Sequence, residues 1–298
     1  MNYRSLLHYL EKNGVEFKEN YRTSELVTFR IGGDAKIVIF PKNRRQLIDI
    51  LRILKNNKFV VIGNGSNCYF TDGFYDGAII ATSKLNSISR ENNLVVAECG
   101  APITKVSKFA FDEELCGLEF SYGIPGTVGG AVAMNASAFG SDISTVLKES
   151  LAYDICSDKL VVLSNAEHIF SVKSSVFRKS RLILILSKFE LQNGSKSEIY
   201  DKMNDNISRR REAQPLNLPS AGSAFIKPEH GYASQMIDSL NLKGYTVGGA
   251  QVSTKHAGFI VNIGGATAAD VNDLIEIVKR KVNEQYKINL EKEIIYIE

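Results

Sequence analysis

The sequence predicts an α+β protein in two parts, a larger α+β region to about residue 194 and a smaller α/β region after it. Three observations lead there. The chain has 298 residues, and roughly 150 residues per domain makes about two domains. Short apolar runs with strand character alternate with amphipathic helical stripes through the first part. The turn cluster Asn193-Gly194-Ser195 then separates the last such strand from a long polar segment.

Taken in order, Tyr3, Leu6, Leu7 and Leu10 fall at helical spacing and predict a helix over 3–13 that stops at Gly14. Lys36–Phe40 reads as a strand cut by Pro41, Leu47, Ile50, Leu51 and Leu54 form a helical stripe, and Phe59–Ile62 is a short buried strand. Together they predict a βαβ unit. Strands follow at 77–81 and 94–99, then a helix over 103–114. Residues 117–142 break the rhythm with a crowd of Gly, Ala and Ser. Strands return at 150–156, 159–163 and 182–187, and a long polar helix runs to Arg211. The second part holds helices near 232–242 and 268–285 around a strand at 258–263. In the last helix Val271, Leu274, Ile275, Val278 and Val282 share a face, and Thr267 with Asp270 matches a capping box. Glu293–Ile297 is strand-like.

Composition excludes several classes. Hydrophobic residues make up 44% and charged residues 23%, which supplies a sizeable core and argues against disorder. Thirty-six Lys+Arg against 33 Asp+Glu leave a formal charge of +3, so no nucleic-acid partner is expected, although a local basic pocket could hold a small anion. Cysteines at 68, 99, 116 and 156 are too widely spaced for a metal clip and read as reduced thiols of a cytoplasmic protein. The N-terminal segment is too charged for a signal peptide. The longest aliphatic run, Leu182 to Leu186, falls far below the ~20 residues of a membrane span, so no membrane association is expected. His8, His168, His230 and His256 are scattered without metal-ligand spacing, and no metal site is expected.

Two glycine loops carry the chemical signal. Val60-Val61-Ile62 runs into Gly63-Asn64-Gly65-Ser66-Asn67, which begins like the dinucleotide fingerprint, but Cys68 stands at the third glycine and no helix pattern follows. A Rossmann site is therefore rejected, and no Walker motif exists anywhere in the chain. Successive unhindered backbone N–H groups can still form an anion-binding nest, as an alternative to a simple tight turn. The second loop, Gly123 to Ala131, has four glycines in nine residues just ahead of a helix-like segment. Its backbone could approach a flat or charged ligand, with the helix start adding a favourable dipole; close backbone packing without a ligand is the other reading.

At these residues a resemblance emerges. TFRIGG (28–33), VIGNGSN (61–67), GLEFSYGIPGTVGGAVAMNASAFG (117–140), QPLNLPSAGSAF (214–225) and KHAGFIVNIGGATAADV (255–271) follow the order and spacing of one family. The chain resembles the UDP-N-acetylenolpyruvoylglucosamine reductases, in their shorter type II form, over about residues 25 to 297. The resemblance implies a two-lobed FAD-binding module of the vanillyl-alcohol-oxidase (PCMH) type plus a smaller α/β substrate-binding domain. Residues 1–20 would form a helix packed on the module, residues 21–194 the module itself with lobes split near 80, and residues 195–298 the substrate domain, whose last strand returns to the active site. It also implies non-covalent FAD, NADPH as hydride donor, a UDP-sugar bearing an enolpyruvyl group as substrate, and a place in peptidoglycan synthesis.

Site residues carry over by position. Arg30, Gly63, Asn64, Gly65, Ser66, Asn67, Gly123, Ile124, Pro125, Gly126, Gly129, Gly130 and Asn135 would face FAD, and Lys227 the substrate diphosphate. Three residues would carry the chemistry. Arg178 would pair with the substrate carboxylate as its charge grows, Ser223 would give the proton, and Glu293 would assist at the carboxylate end. Glu291 lies two residues from Glu293 on the same strand face, so that assignment depends on register. The chain departs from the family at Phe177, where tyrosine is usual, and at Ile226-Lys227, where Lys-Asn is usual. Arg209-Arg210-Arg211 reads as a charged helix end with a diphosphate contact as alternative. Other readings are a flavin oxidase or dehydrogenase of the same fold, or a flavin- or nucleotide-binding module without turnover.

Overall fold

The computed structural model describes residues 3–298. The chain divides into two compact units, each discontinuous in sequence. The first holds the segment ending at Glu19 with Ile37–Asn64 and Asp76–Ser208; the second holds Asn20–Lys36, Gly65–Tyr75 and Arg209–Glu298.

In the first unit the helix Tyr3–Lys12 buries Leu6 and Leu10, one turn apart. Arg44–Leu54 buries Leu47, Ile50, Leu51 and Leu54, and Asn43 caps it by accepting the Gln46 amide at 2.9 Å. A four-stranded sheet runs in the order Glu16–Arg22, Asp34–Phe40, Tyr75–Ala81, Phe59–Ile62. The expected βαβ unit is therefore opened, because Tyr75–Ala81 lies between its two strands and pairs in parallel with Phe59–Ile62. Burial explains the order. Ile79 and Ile80 are fully enclosed, as a central strand requires, whereas Phe59, Val60 and Val61 are only half-buried and suit an edge.

A second, antiparallel sheet of five strands runs Lys159–Ser164, Leu147–Asp154, Leu182–Glu190, Leu94–Glu98, Ile88–Glu91. Ser150 and Ser187 face each other across its middle, both fully buried, with hydroxyls 2.9 Å apart. Buried His168 lies beside them, its Nε2 2.9 Å from Ser150 Oγ. Such groups are enclosed only when hydrogen-bonded, and these are.

In the second unit an antiparallel sheet runs Ser220–Ser223, Phe259–Asn262, Ala250–Val252, Thr246–Val247. The helix Ala268–Tyr286 buries the expected face of Val271, Leu274, Ile275, Val278 and Val282. Both arms of its capping box form, Asp270 N–H to Thr267 Oγ1 at 3.0 Å and Thr267 N–H to Asp270 Oδ2 at 2.9 Å. Asp72 adds a second cap, accepting the Ala268 and Ala269 amides at 2.8 and 3.0 Å. The last strand, Ile295–Ile297, pairs in parallel with Cys68–Phe70. Among the described residues no helix is long and apolar enough to cross a membrane.

Burial lowers the pKa of His168 below the usual imidazole value of 6.5. The unfolded chain thus takes up a proton first as the pH falls, so this contribution to stability is complete above 6.5 and is lost as the pH drops toward the folded value. Thermal unfolding is expected to show a declining Tm between pH 7.5 and 5.5, and His168→Gln is expected to flatten that decline.

Candidate active site

The two glycine loops meet in the first unit. Phe59–Ile62 delivers Gly63, where a Cβ would lie 2.0 Å from Thr127 Oγ1, so only glycine allows this approach. Asn64 Nδ2 donates to Pro125 O at 2.7 Å and ties the first loop to the second. A pocket of about 170 Å³ opens at the junction, lined by Gly63, Asn64, Ile124, Pro125, Gly126 and Thr127.

Along residues 63–67 the carbonyls of Gly65 and Asn67 accept bonds from Thr28 and Ile295, but the amides of Asn64, Gly65, Ser66 and Asn67 make no hydrogen bond among the described residues. Gly65 has φ +59°, and a Cβ there would lie 2.2 Å from Leu26 O. A run of unengaged amides turned by a left-handed glycine is the donor set an anionic group needs. These residues fit the diphosphate of FAD.

The helix expected to add its dipole does not. Val128–Ala133 has six residues, and its first amides are already bonded: Val128 to Ala101 O at 2.9 Å, Gly129 to Cys99 O at 2.8 Å, Gly130 to Thr127 Oγ1 at 3.4 Å. Gly129 serves close packing instead, since a Cβ would meet Cys99 O at 3.1 Å. Gly123, with φ +93°, donates its amide to Thr104 Oγ1 at 3.2 Å. Arg30 is exposed and holds a left-handed φ of 57°. Asn135 is buried, and its side chain serves the protein: Oδ1 accepts the Ser144 amide at 3.0 Å and Nδ2 donates to Ser171 O at 3.4 Å. Lys227 is exposed, with its ammonium 4.6 Å from the Tyr232 ring centre.

In the second unit the backbone of residues 291–293 pairs with that of residues 224–226. Ser220-Ala221-Gly222-Ser223, which could have been a small-residue turn, is a strand whose register slips between Ser220 and Ser223. Gly222, at φ +80°, sits within that bulge, and a Cβ there would meet nothing within 4 Å. A bulge re-aims the side chain that follows it, here Ser223 beside open space. Glu293 N–H donates to Ala224 O at 2.9 Å, and Ile226 N–H donates to Glu291 O at 2.9 Å. Glu293 is half-buried, whereas Glu291 is exposed. Asn67 reaches the same segment, its Nδ2 3.3 Å from Glu293 O.

Arg178 belongs to the first unit. It ends the 3-10 turn Val176–Arg178, is exposed, and donates from Nη1 to Lys173 O at 3.0 Å. Arg210, at the end of the helix Lys196–Ala213, is buried and donates from Nη1 to Gln214 Oε1 at 3.1 Å. Among the described residues no three His, Cys, Asp or Glu side chains gather as a metal site would.

Ser83, Gly100, Pro102, Thr104 and Thr127 also line the pocket, and sequence reasoning missed them. Thr127 carried a readable signal, a threonine immediately before a helix start. The others come from distant parts of the chain and carried none.

Comparison with known proteins agrees over the whole length. The family described as UDP-N-acetylenolpyruvoylglucosamine reductase, C-terminal domain, matches residues 214–297, and the FAD binding domain family matches residues 35–159. The chain is 42% identical over 295 residues to the UDP-N-acetylenolpyruvoylglucosamine reductase of Caldicellulosiruptor bescii, covering 97% of this chain and 93% of that one. The enzyme of the same name from Clostridium botulinum is 39% identical over 297 residues, covering 98% and 96%. Among solved structures, UDP-N-acetylenolpyruvylglucosamine reductase from Thermus caldophilus has a TM-score of 0.81 at 28% identity, covering 95% of this chain and 99% of that one. Berberine bridge enzyme from Eschscholzia californica shares the fold alone, with a TM-score of 0.50 at 13% identity over 64% of this chain and 44% of that one. The fold is therefore an FAD-binding module of the PCMH type with the reductase C-terminal domain.

Gly63→Ala is expected to lower stability by about 1–3 kcal/mol through overpacking and to reduce flavin bound per chain. Thr127→Ala in the same chain should restore part of both, as read by thermal unfolding and by flavin absorbance of the purified protein. With its paired glycine loops and this agreement across nearly its full length, the chain belongs to the UDP-N-acetylenolpyruvoylglucosamine reductase family of FAD oxidoreductases.

Proposed function

We propose that this protein reduces the enolpyruvyl double bond of UDP-N-acetylglucosamine enolpyruvate, giving UDP-N-acetylmuramate for peptidoglycan synthesis in the cytoplasm. Family membership supplies the reaction class. The observation that supports the residue roles is the 2.9 Å bond from Glu293 N–H to Ala224 O, which pairs the backbone of the Glu293 segment with that of the Ser223 segment.

Held at Gly63, Asn64, Gly65, Ser66 and Asn67, FAD would supply hydride chemistry, with NADPH as the reductant. As C3 of the substrate receives hydride, negative charge grows toward C2 and the carboxylate. Arg178 meets that charge; its guanidinium is planar, always cationic and matched to a carboxylate. Ser223 gives the proton at C2. A serine is a weak acid, so its hydroxyl works only in a site that stabilises the departing charge, a task for nearby cations and amides. Glu293 assists at the carboxylate end. Lys227 holds the substrate diphosphate as a point charge. The segment 21–194 serves as the FAD module and 195–298 as the substrate domain.

The purified protein should absorb as a flavoprotein, bleach with NADPH under nitrogen, and recover its colour on addition of the enolpyruvyl sugar nucleotide. Recovery with oxygen alone would make it an oxidase, and absence of bleaching would make it a binding module. Ser223→Ala is expected to leave NADPH-driven bleaching intact and to slow recovery of colour by about 10²–10⁴-fold. Normal rates in both half-reactions would remove Ser223 as proton donor.

A further inference from the structure

Buried His168 plays no part in the mechanism above, yet its surroundings connect it to Arg178. Its Nδ1 lies 2.8 Å from Ser164 O, an atom that only accepts, so Nδ1 carries the proton and Nε2 accepts from Ser150 Oγ at 2.9 Å. Ser150 in turn receives the Ser187 hydroxyl at 2.9 Å. These serines stand opposite each other on Leu147–Asp154 and Leu182–Glu190, both interior strands of the five-stranded sheet, so the imidazole is pinned to the middle of that sheet. Burial lowers its pKa and keeps the ring neutral.

The other side of the ring carries a loop. His168 stacks on Phe170 at 5.0 Å and 10°, and meets Phe177 at 5.7 Å, tilted by 56°. Phe177 immediately precedes Arg178 in the turn Val176–Arg178. Between the two phenylalanines the backbone holds Lys173 at φ 55°, and Ile169 before them has φ 48°. A β-branched residue in the left-handed region persists only where the surroundings over-determine it. Those surroundings are on the page: Asn135 Nδ2 to Ser171 O at 3.4 Å, Ser175 Oγ to Ala133 O at 3.1 Å, and Arg178 Nη1 to Lys173 O at 3.0 Å.

We propose that His168 is a positioning residue for Arg178: the serine-anchored imidazole is the floor on which Phe170 and Phe177 set the loop that presents the guanidinium to the substrate carboxylate. The proposal rests on the role given to Arg178 above. Histidine suits the task because it joins a flat stacking face to two hydrogen-bonding atoms. Glutamine keeps polar anchors without the face, and phenylalanine keeps the face without the anchors.

His168→Gln and His168→Phe holoenzymes are therefore each expected to slow substrate-driven flavin reoxidation roughly 10- to 100-fold, the scale of a displaced catalytic group, with NADPH-driven bleaching unchanged. Hydrogen exchange at the Arg178 and Lys179 amides should quicken in both. In an Arg178→Ala chain the same substitutions should cost less than about twofold more, because their effect passes through Arg178. Equal slowing of both half-reactions, no slowing of either, or a full further loss in the Arg178→Ala chain would overturn the proposal. Should the His168 variants fail to fold, Phe177→Leu tests the same contact at a half-buried position, with the same expected split between half-reactions. Normal reoxidation in Arg178→Ala would remove the role of Arg178 and the proposal with it. Slow reoxidation there beside normal rates in the His168 variants would remove the proposal alone.

Discussion

The missing Cβ of Gly63 is the constraint on which the pocket between the glycine loops depends. It lets a strand end rest directly on Thr127, and Thr127 in turn caps Val128–Ala133 through the Gly130 amide and bridges to Pro102. From there Val128 and Gly129 bond to Ala101 and Cys99, drawing the start of the Ile103–Asp112 helix into the same assembly. One hydrogen atom in place of a methyl group thus fixes the relative position of three separated segments.

Ser223 and Arg178, the positions proposed to act on the substrate, use backbone irregularity differently. Ser223 follows a bulge made possible by glycine, so its placement carries little strain. Arg178 ends a loop whose Ile169 and Lys173 take left-handed angles with side chains attached. That loop must be held from several directions, by rings on one flank and by Asn135 and Ser175 on the other. The carboxylate role proposed for Arg178 gains from such restraint, since a planar fork is useful only at a set distance and angle.

Local patterns in the sequence were legible where the physics is local. The stripe Val271, Leu274, Ile275, Val278 and Val282 and the Thr267–Asp270 box lie within one helix and formed as expected. Cys68 at the third glycine position correctly excluded a Rossmann loop, because Cys68–Phe70 is a strand. What depended on distant partners was not legible. The opening of the βαβ unit required knowing that Tyr75–Ala81 is the most enclosed strand of its sheet. The helix start at Val128 resembled an anion site, but the Val128 and Gly129 amides already donate to Ala101 O and Cys99 O. Asn135, expected to face the cofactor, has both ends of its amide on neighbouring backbone, a fact no spacing rule conveys. Glu291 and Glu293 could be separated only once Ala224 and Ile226 supplied a register.

The pairing of Ile295–Ile297 with Cys68–Phe70 also bears on how the molecule comes into being. A parallel partner for residues 68–70 does not exist until residues 295–297 have been made. During synthesis at roughly 5–20 residues per second, the first unit has its sequence complete at Ser208 and can fold early. The second unit must wait with the edge of Cys68–Phe70 exposed, an edge that invites wrong partners. The strand Ile295–Ile297 is thus among the last contacts the ribosome permits, and an incompletely translated chain would have the first unit's sequence complete without the bond from Glu293 N–H to Ala224 O.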